Sequence, residues 1–175
     1  MISEFFFQIA ELKKLPRSGW KIKVGLKNSE SVAEHSYMMS VMSMVLSDMK
    51  SLNSEKVLKM AILHDWAESK IGDFMPEQIG YDKKSELENY AMNEILESLP
   101  QKIQKDYTNI WNEFLDRNTP ESKLVHELDK YAINEILESL PQKIQKDYTN
   151  IWNEFLDRTT PESKLVHELD KLEMA

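Results

Sequence analysis

The sequence contains no cysteine among its 175 residues. Disulfide bonds and thiolate metal sites are therefore excluded, and any metal ion has to be held by His, Asp or Glu. Long hydrophobic runs are also absent, and the amino terminus "MISEFFFQIAELKKL" has neither a cationic segment nor a cleavage site of small residues. These absences predict a soluble protein of the cytoplasm that has no signal peptide and no membrane span.

Positive charge and glycine are both scarce. Basic residues number 22 against 30 acidic ones, which gives a formal net charge of −8. Binding along a nucleic-acid polymer requires a basic surface, so we expect no nucleic-acid polymer as a partner. The four glycines all precede residue 81, and prolines separate helical periods after that point. The pattern predicts an all-α protein with one sizeable core.

Apolar residues recur at helical spacing along most of the chain. The first segment is expected to place Phe5, Phe6, Ile9 and Leu12 on one face, and "SVAEHSYMMSVMSMVLSDM" is expected to be a helix. "SEKVLKMAILHDWAESKIG" is predicted to form one continuous, central helix. "KIKVGL" alternates like a strand, but it lacks a partner of similar quality and is interpreted as an extended connection. Further helices are predicted for about 83–99, 100–115 and from 121 onward.

A segment of 41 residues occurs twice, as 90–130 and again as 131–171. The copies differ only by Met92 against Ile133 and Asn118 against Thr159. Because these near-identical copies follow unrelated sequence, a duplication of the C-terminal helices of one domain is favoured over a solenoid. We expect 1–130 to form the domain, and 131–175 to pack on it or on a partner subunit.

Three segments carry residues suited to metal binding: "SVAEHSY", "LHDWAE" and "HELDK". They supply His35, His64 with Asp65, and Asp129 or its copy Asp170. Two imidazoles with two carboxylates suit Mn, Co, Fe, Ni or Zn and, less well, Mg. The combination is informative because an unpaired carboxylate inside the apolar segment "KMAILHDWA" is costly unless a cation meets it.

Each of these residues also fits a structural role. His35 fits a hydrogen-bonded core histidine, the adjacent His-Asp pair fits a local ion pair, and Asp129 fits a solvated helix residue. His126 and His167 have acidic neighbours and no partner motif, so both are expected on the surface.

The chain resembles the HD-domain metal-dependent phosphohydrolases, and among them the 5'-deoxynucleotidase group. Five segments carry the resemblance, in this order: "LKKLPRSGW", "ESVAEHSYMM", "LHDWAESKIGD", "LPQKIQKDYTNIWNEF" and "ESKLVHELDK". They extend from about Leu12 to Lys130. The resemblance implies an HD-domain helical bundle in which His35, His64, Asp65 and a later aspartate hold one divalent cation.

The same resemblance implies that Glu68 and Asp73 line the reaction site and that Arg17 and Trp20 face the substrate. The residue types agree with these roles. Glu68 follows His64 by four positions on the predicted helix and is placed to act as a general acid or base, and a guanidinium offers a planar fork for phosphate. Without the resemblance, Arg17 fits a surface arginine, Trp20 a core cap and Asp73 a loop acid.

These observations predict a metal-dependent phosphomonoesterase that releases phosphate from nucleoside 5'-monophosphates, with deoxynucleotides favoured. One alternative is an HD phosphohydrolase that acts on another phosphoester. The other is a non-catalytic helical module in which the duplicated helices drive self-association. We also expect the protein to be a homodimer, and exchange of segments between its subunits is an open alternative.

The duplication leaves two candidates for the last metal ligand. After Asp129 the chain continues as "KYAINEILESL", which extends the apolar helix face, whereas after Asp170 the given sequence continues only as "KLEMA". Use of Asp129 also completes the fold with the lower contact order. Asp129 is therefore favoured as the ligand, with Asp170 as the alternative.

Overall fold

The computed structural model describes residues 2–18, 30–130, 154 and 159–173. The chain divides into two compact units, Met1–Tyr131 and Ala132–Ala175. The extended connection expected at "KIKVGL", Trp20 and most of the second copy lie outside the described residues.

Helices form the first unit, and the prediction of an all-α fold is confirmed. They are α1 (Ile2–Ala10), α2 (Val32–Met49), α3 (Ser54–Leu63), α4 (Glu68–Ile71), α5 (Pro76–Ile79), α6 (Tyr81–Glu97), α7 (Gln101–Asp116) and α8 (Pro120–Lys130). In the second unit, α9 spans Pro161–Glu173. The one extended pairing among the described residues is a bridge between Pro16 and Ser31. No helix in this part of the chain has the length and apolarity to cross a bilayer.

Helices α2, α3, α7 and α8 pack against one another and contribute most of the core, while α6 packs on α4 and α7. Their contact faces carry fully buried side chains such as Met39, Met60, Leu63 and Val125. Because each of these helices buries one apolar stripe, their packing fixes the rotation of α2 and α8 about their axes. That rotation decides where His35 points.

A capping box defines the start of α2. The Ser31 hydroxyl accepts the Glu34 N–H at 3.2 Å, and the Glu34 carboxylate accepts the Ser31 N–H at 2.6 Å. Two helix-end donors are satisfied in this way. The helix therefore begins one turn before His35.

The face predicted for the first segment is partly wrong. Phe5 and Leu12 are buried, but Phe6 is 59% exposed. α1 ends at Ala10, and a 3-10 turn over Glu11–Lys13 follows it. Of the three consecutive phenylalanines Phe5, Phe6 and Phe7, only Phe5 faces the core, where its ring meets Trp66 edge to face with centroids 5.1 Å apart.

The prediction of one continuous helix through "HDWAE" is wrong as well. α3 ends at Leu63, and a tight turn over 64–67 separates it from α4. The His64 N–H bonds the Met60 carbonyl four residues back at 3.0 Å, but the Trp66 N–H bonds the Leu63 carbonyl, only three residues back, at 3.1 Å. This change of spacing tightens the chain, as at a 3-10 turn. His64 therefore lies at the end of a helix and not in its middle.

The sequence "PESKLVHELDK" occurs in both α8 and α9 but differs in burial. In α8 its three apolar residues are buried: Leu124, Val125 and Leu128. Their counterparts in α9 are about half exposed or more: Leu165, Val166 and Leu169. The two helices thus have the same sequence but differ in how far their apolar side chains are buried.

This pair of helices offers a matched test of core packing. We expect Leu124→Ala, at a side chain 4% exposed, to lower the free energy of unfolding by about 2–5 kcal/mol. Leu165→Ala, at 60% exposure, should change it by no more than about 0.5 kcal/mol. Urea unfolding followed by circular dichroism measures both changes, and equal losses would contradict the assigned burial.

Candidate metal centre

Two imidazoles and two carboxylates converge where α2, α8 and the turn after α3 meet. One ligand atom from each of His35, His64 and Asp129 lies within 4.8 Å of the other two. Oδ1 of Asp129 is 3.1 Å from Nε2 of His35 and 3.9 Å from Nε2 of His64. Oδ2 of Asp65 is 3.1 Å from the same His64 nitrogen and 3.9 Å from the same His35 nitrogen. The four side chains therefore face a common point.

The buried His64 ring leaves one nitrogen directed at this cluster. Its Nδ1 lies 2.8 Å from the Ala61 carbonyl, which can only accept, so a neutral ring carries its proton on Nδ1. Nε2 then presents a lone pair, and in the described part of the chain it has no aligned hydrogen bond although Asp65 is close. A buried acceptor between two carboxylates fits a bound cation, and this donor set is one that divalent metals accept.

In the metal-free protein, protons compensate the negative charge of the cluster. Burial opposes protonation of His64, but the Asp65 and Asp129 carboxylates outweigh it and raise the pKa of His64 to about 9. Burial likewise opposes ionisation of Asp129, yet the hydrogen bond from His35 and the charges of His64 and Arg17 prevail and lower its pKa. The cluster of His35, His64, Asp65 and Asp129 therefore favours a positive charge, whether from a proton or from a bound cation.

The guanidinium group of Arg17 lies near the carboxylates of both Asp65 and Asp129. Its two terminal nitrogens lie 3.5 Å from Oδ2 of Asp65 and 3.7 Å from Oδ1 of Asp129. Asp73 fixes the segment that carries Arg17, because its carboxylate accepts the Ser18 N–H at 2.6 Å and its carbonyl accepts the Ser18 hydroxyl at 2.7 Å. Asp73 is thus hydrogen-bonded to Ser18, the residue that follows Arg17 in the chain.

Glu68 lies at the start of α4 and is buried, with its side chain 6% exposed. Its Oε2 has no hydrogen-bond partner among the described residues, and its Oε1 is 3.8 Å from Nζ of Lys84 on α6. Burial raises the pKa of Glu68 well above its ordinary value, and the carboxylates of Asp65 and Asp73 raise it further. Glu68 thus combines a perturbed carboxyl group with a free oxygen.

Lys84 was missed by the sequence reasoning. The available signal was its spacing of four residues from Glu88, whose Oε1 lies 3.3 Å from the Lys84 ammonium group. That spacing is common on solvated helix faces, so by itself it does not indicate a site.

The expectation that His126 is a surface residue holds only in part, because its side chain is half-buried. The ring stacks on Phe114 with centroids 4.0 Å apart, and its Nε2 lies 2.7 Å from the Phe114 carbonyl. Phe114 in turn meets the His64 ring at 6.0 Å. The side chains of His167 and Asp170, like all of Trp20, lie outside the described residues.

Protonation of His64 should make the stability of the metal-free protein depend on pH. Its pKa is raised from 6.5 to about 9 on folding, so the stabilisation is complete below pH 6.5 and is lost as the pH rises through 9. The difference corresponds to at most about 3 kcal/mol. In chelator-treated protein, the thermal midpoint should fall over this range, and the slope should be smaller in His64→Gln. His126→Gln serves as the control and should keep the slope, because burial lowers the pKa of His126. An equal slope in both variants would contradict the assignment.

Comparison with known proteins identifies the family. The HD domain profile matches residues 9–134, and a second match covers 131–175. The 5'-deoxynucleotidase HDDC2 of Danio rerio is 36% identical over 125 residues, which are 71% of this chain and 62% of that protein. HDDC2 of Dictyostelium discoideum is 38% identical over 132 residues, covering 71% and 69%. A crystal structure described as "Predicted metal-dependent phosphohydrolase" from Magnetospirillum magnetotacticum has a TM-score of 0.60 at 26% identity, covering 73% of this chain and 65% of the other. The chain thus spans about three fifths of the Danio relative's length, and it belongs to the HD domain family.

Proposed function

We propose that this protein is a divalent-metal-dependent phosphomonoesterase that releases phosphate from nucleoside 5'-monophosphates, with deoxynucleotides preferred. The observation that carries the proposal is the convergence of two histidines and two aspartates beside a buried glutamate with a free oxygen. The names of the HDDC2 relatives, which are called 5'-deoxynucleotidases, support the substrate class.

His35, His64, Asp65 and Asp129 would hold the cation. Their nitrogen and oxygen donors suit Mn, Co, Fe, Ni or Zn and, less well, Mg. A divalent cation bound there neutralises charge on phosphoryl oxygens and makes water more acidic. The two carboxylates in turn balance the charge of the ion.

Arg17 and Glu68 would have the two other roles, phosphate binding and proton transfer. Arg17 would bind the phosphate, because a guanidinium has five N–H donors and its contacts with the two aspartates, at 3.5 and 3.7 Å, are long. Glu68 would take the proton from the attacking water through its free Oε2. The water oxygen would then bond to phosphorus, the P–O ester bond would break, and Glu68 would give the proton to the departing sugar 5'-oxygen.

Asp73 and Trp20 complete the proposed site. Asp73 would line it and hold the Arg17 segment through Ser18, which the two short hydrogen bonds support. Trp20 would face the base or sugar of the substrate, as an aromatic platform suits a nucleoside.

A substrate screen tests the proposed activity. Purified protein supplied with Mn or Co should release phosphate from at least one deoxynucleoside 5'-monophosphate, faster than from the matching ribonucleotide, and a chelator should stop the reaction. His64→Ala, which removes a ligand, should lack both metal and activity. Release from p-nitrophenyl phosphate but from no nucleotide would favour another phosphoester. Absence of stoichiometric metal after purification without chelator would favour the non-catalytic module.

We also propose that residues 1–130 form the catalytic domain, that 131–175 pack on this domain or on a partner subunit, and that the protein is a homodimer of the cytoplasm. The half-exposed apolar face of α9 supports self-association, because exposed apolar surface of this kind is commonly covered by a partner. The excess of acidic residues supports the absence of a nucleic-acid polymer as partner.

The two copies of the last ligand can be compared directly. Asp129→Ala should lose bound metal and turnover, since Asp129 lies 3.1 Å from His35. Asp170→Ala should retain both, and light scattering should give the mass of a dimer for each variant. Metal content and initial rates provide the readout. Loss in Asp170→Ala alone would reverse the assignment, and partial loss in both would indicate exchange between the copies.

A further inference from the structure

Lys84 connects the proposed reaction site to a helix that supplies none of the proposed ligands. It lies near the start of α6, which begins after Gly80 and packs against the short α4 that carries Glu68. Its side chain is 21% exposed, and its ammonium group lies 3.8 Å from Oε1 of Glu68 and 3.3 Å from Oε1 of Glu88. The lysine is therefore held between two glutamates of different helices.

The contact distinguishes the two oxygens of Glu68. Oε1 faces the lysine, whereas Oε2 is buried and has no partner in the described part of the chain. Within the same described residues, Lys84 forms the one ion pair of Glu68, while the charge of Arg17 acts on Glu68 from further away. A buried carboxylate without a cation close by is unfavourable. Lys84 thus compensates the charge of Glu68 and faces one of its two oxygens.

We propose that Lys84 is a positioning residue that holds Oε1 of Glu68 and thereby directs Oε2 to the reacting water, and that Glu88 in turn holds Lys84. This inference rests on the proposed function, in which Glu68 is the acid or base. Glu88 is 21% exposed and lies one turn further along α6, so the pair is set by a rigid helix. Lys84 acts through Glu68 and does not bind the phosphate.

Kinetics of three single variants test the proposal. Lys84→Met should lower kcat by about 10- to 100-fold, because general acid–base catalysis is worth at least that much. KM and bound metal should stay near their wild-type values. Lys84→Arg, which keeps the charge, should recover most of kcat. Lys83→Met is the matched control, since the neighbouring Lys83 forms an exposed pair with Glu86 at 3.0 Å, and it should leave kcat unchanged.

A double variant separates positioning from a general structural role. If Lys84 acts through Glu68, adding Lys84→Met to Glu68→Gln should lower kcat by no more than about 2-fold. Losses that multiply in the double variant would overturn the proposal. A wild-type kcat in Lys84→Met, or a raised KM with kcat unchanged, would overturn it as well, the latter in favour of direct substrate binding.

Urea unfolding of chelator-treated protein supplies a readout that is independent of activity. At alkaline pH, where Glu68 is ionised despite its raised pKa, Lys84→Met should lower the unfolding midpoint in the wild-type background, because it leaves the Glu68 carboxylate without its ion pair. The same change should matter less in Glu68→Gln, whose amide is neutral. Equal shifts in both backgrounds would overturn the inference. Wild-type protein that releases no phosphate from any phosphoester would instead overturn the proposed function, and the unfolding cycle would still decide the role of Lys84.

Discussion

The concentration of carboxylates at the end of α3 is the constraint on which the rest of this structure depends. Asp65 and Glu68 are buried, and Asp129 is partly exposed beside them. Charges in such surroundings are costly unless cations or hydrogen bonds compensate them. His35, His64 and Arg17 meet the charge on one side, and Lys84 meets it on the other. The helices α2, α6 and α8 are thereby required to approach the end of α3.

The tight turn after α3 makes this approach possible. On a regular helix, adjacent residues diverge by about 100°, so His64 and Asp65 would point in different directions. Because the backbone changes to shorter hydrogen-bond spacing after Leu63, the two side chains come within 3.1 Å of each other. The bond from the His64 ring to the Ala61 carbonyl then fixes the orientation of the ring. A small local departure from the α-helix therefore shapes the candidate metal centre.

Periodicity predicted where most of the helices lie, and the pairing of histidines with aspartates named candidates that the structure brings together. The end of α3 was not predictable, because "SEKVLKMAILHDWAESKIG" has no proline and no glycine before its last residue. Lys84 was missed for a different reason: its second partner, Glu68, is distant in sequence and on another helix. The partial burial of His126 similarly depends on Phe114, which belongs to α7. Local sequence specifies elements, whereas these details arise from contacts between elements.

The repeated helix illustrates the same limit within one chain. Eleven residues is too short for a helix to be stable in water by itself, so most of the stability of such a segment comes from what its apolar face contacts. In α8 that face packs on α2, α3 and α7, and Leu124 and Val125 are buried. Asp129 is held at His35 because this packing fixes the helix beneath it. In α9 the same apolar residues are about half exposed instead. The position of a ligand is therefore a property of the surrounding helices as much as of the motif that contains it.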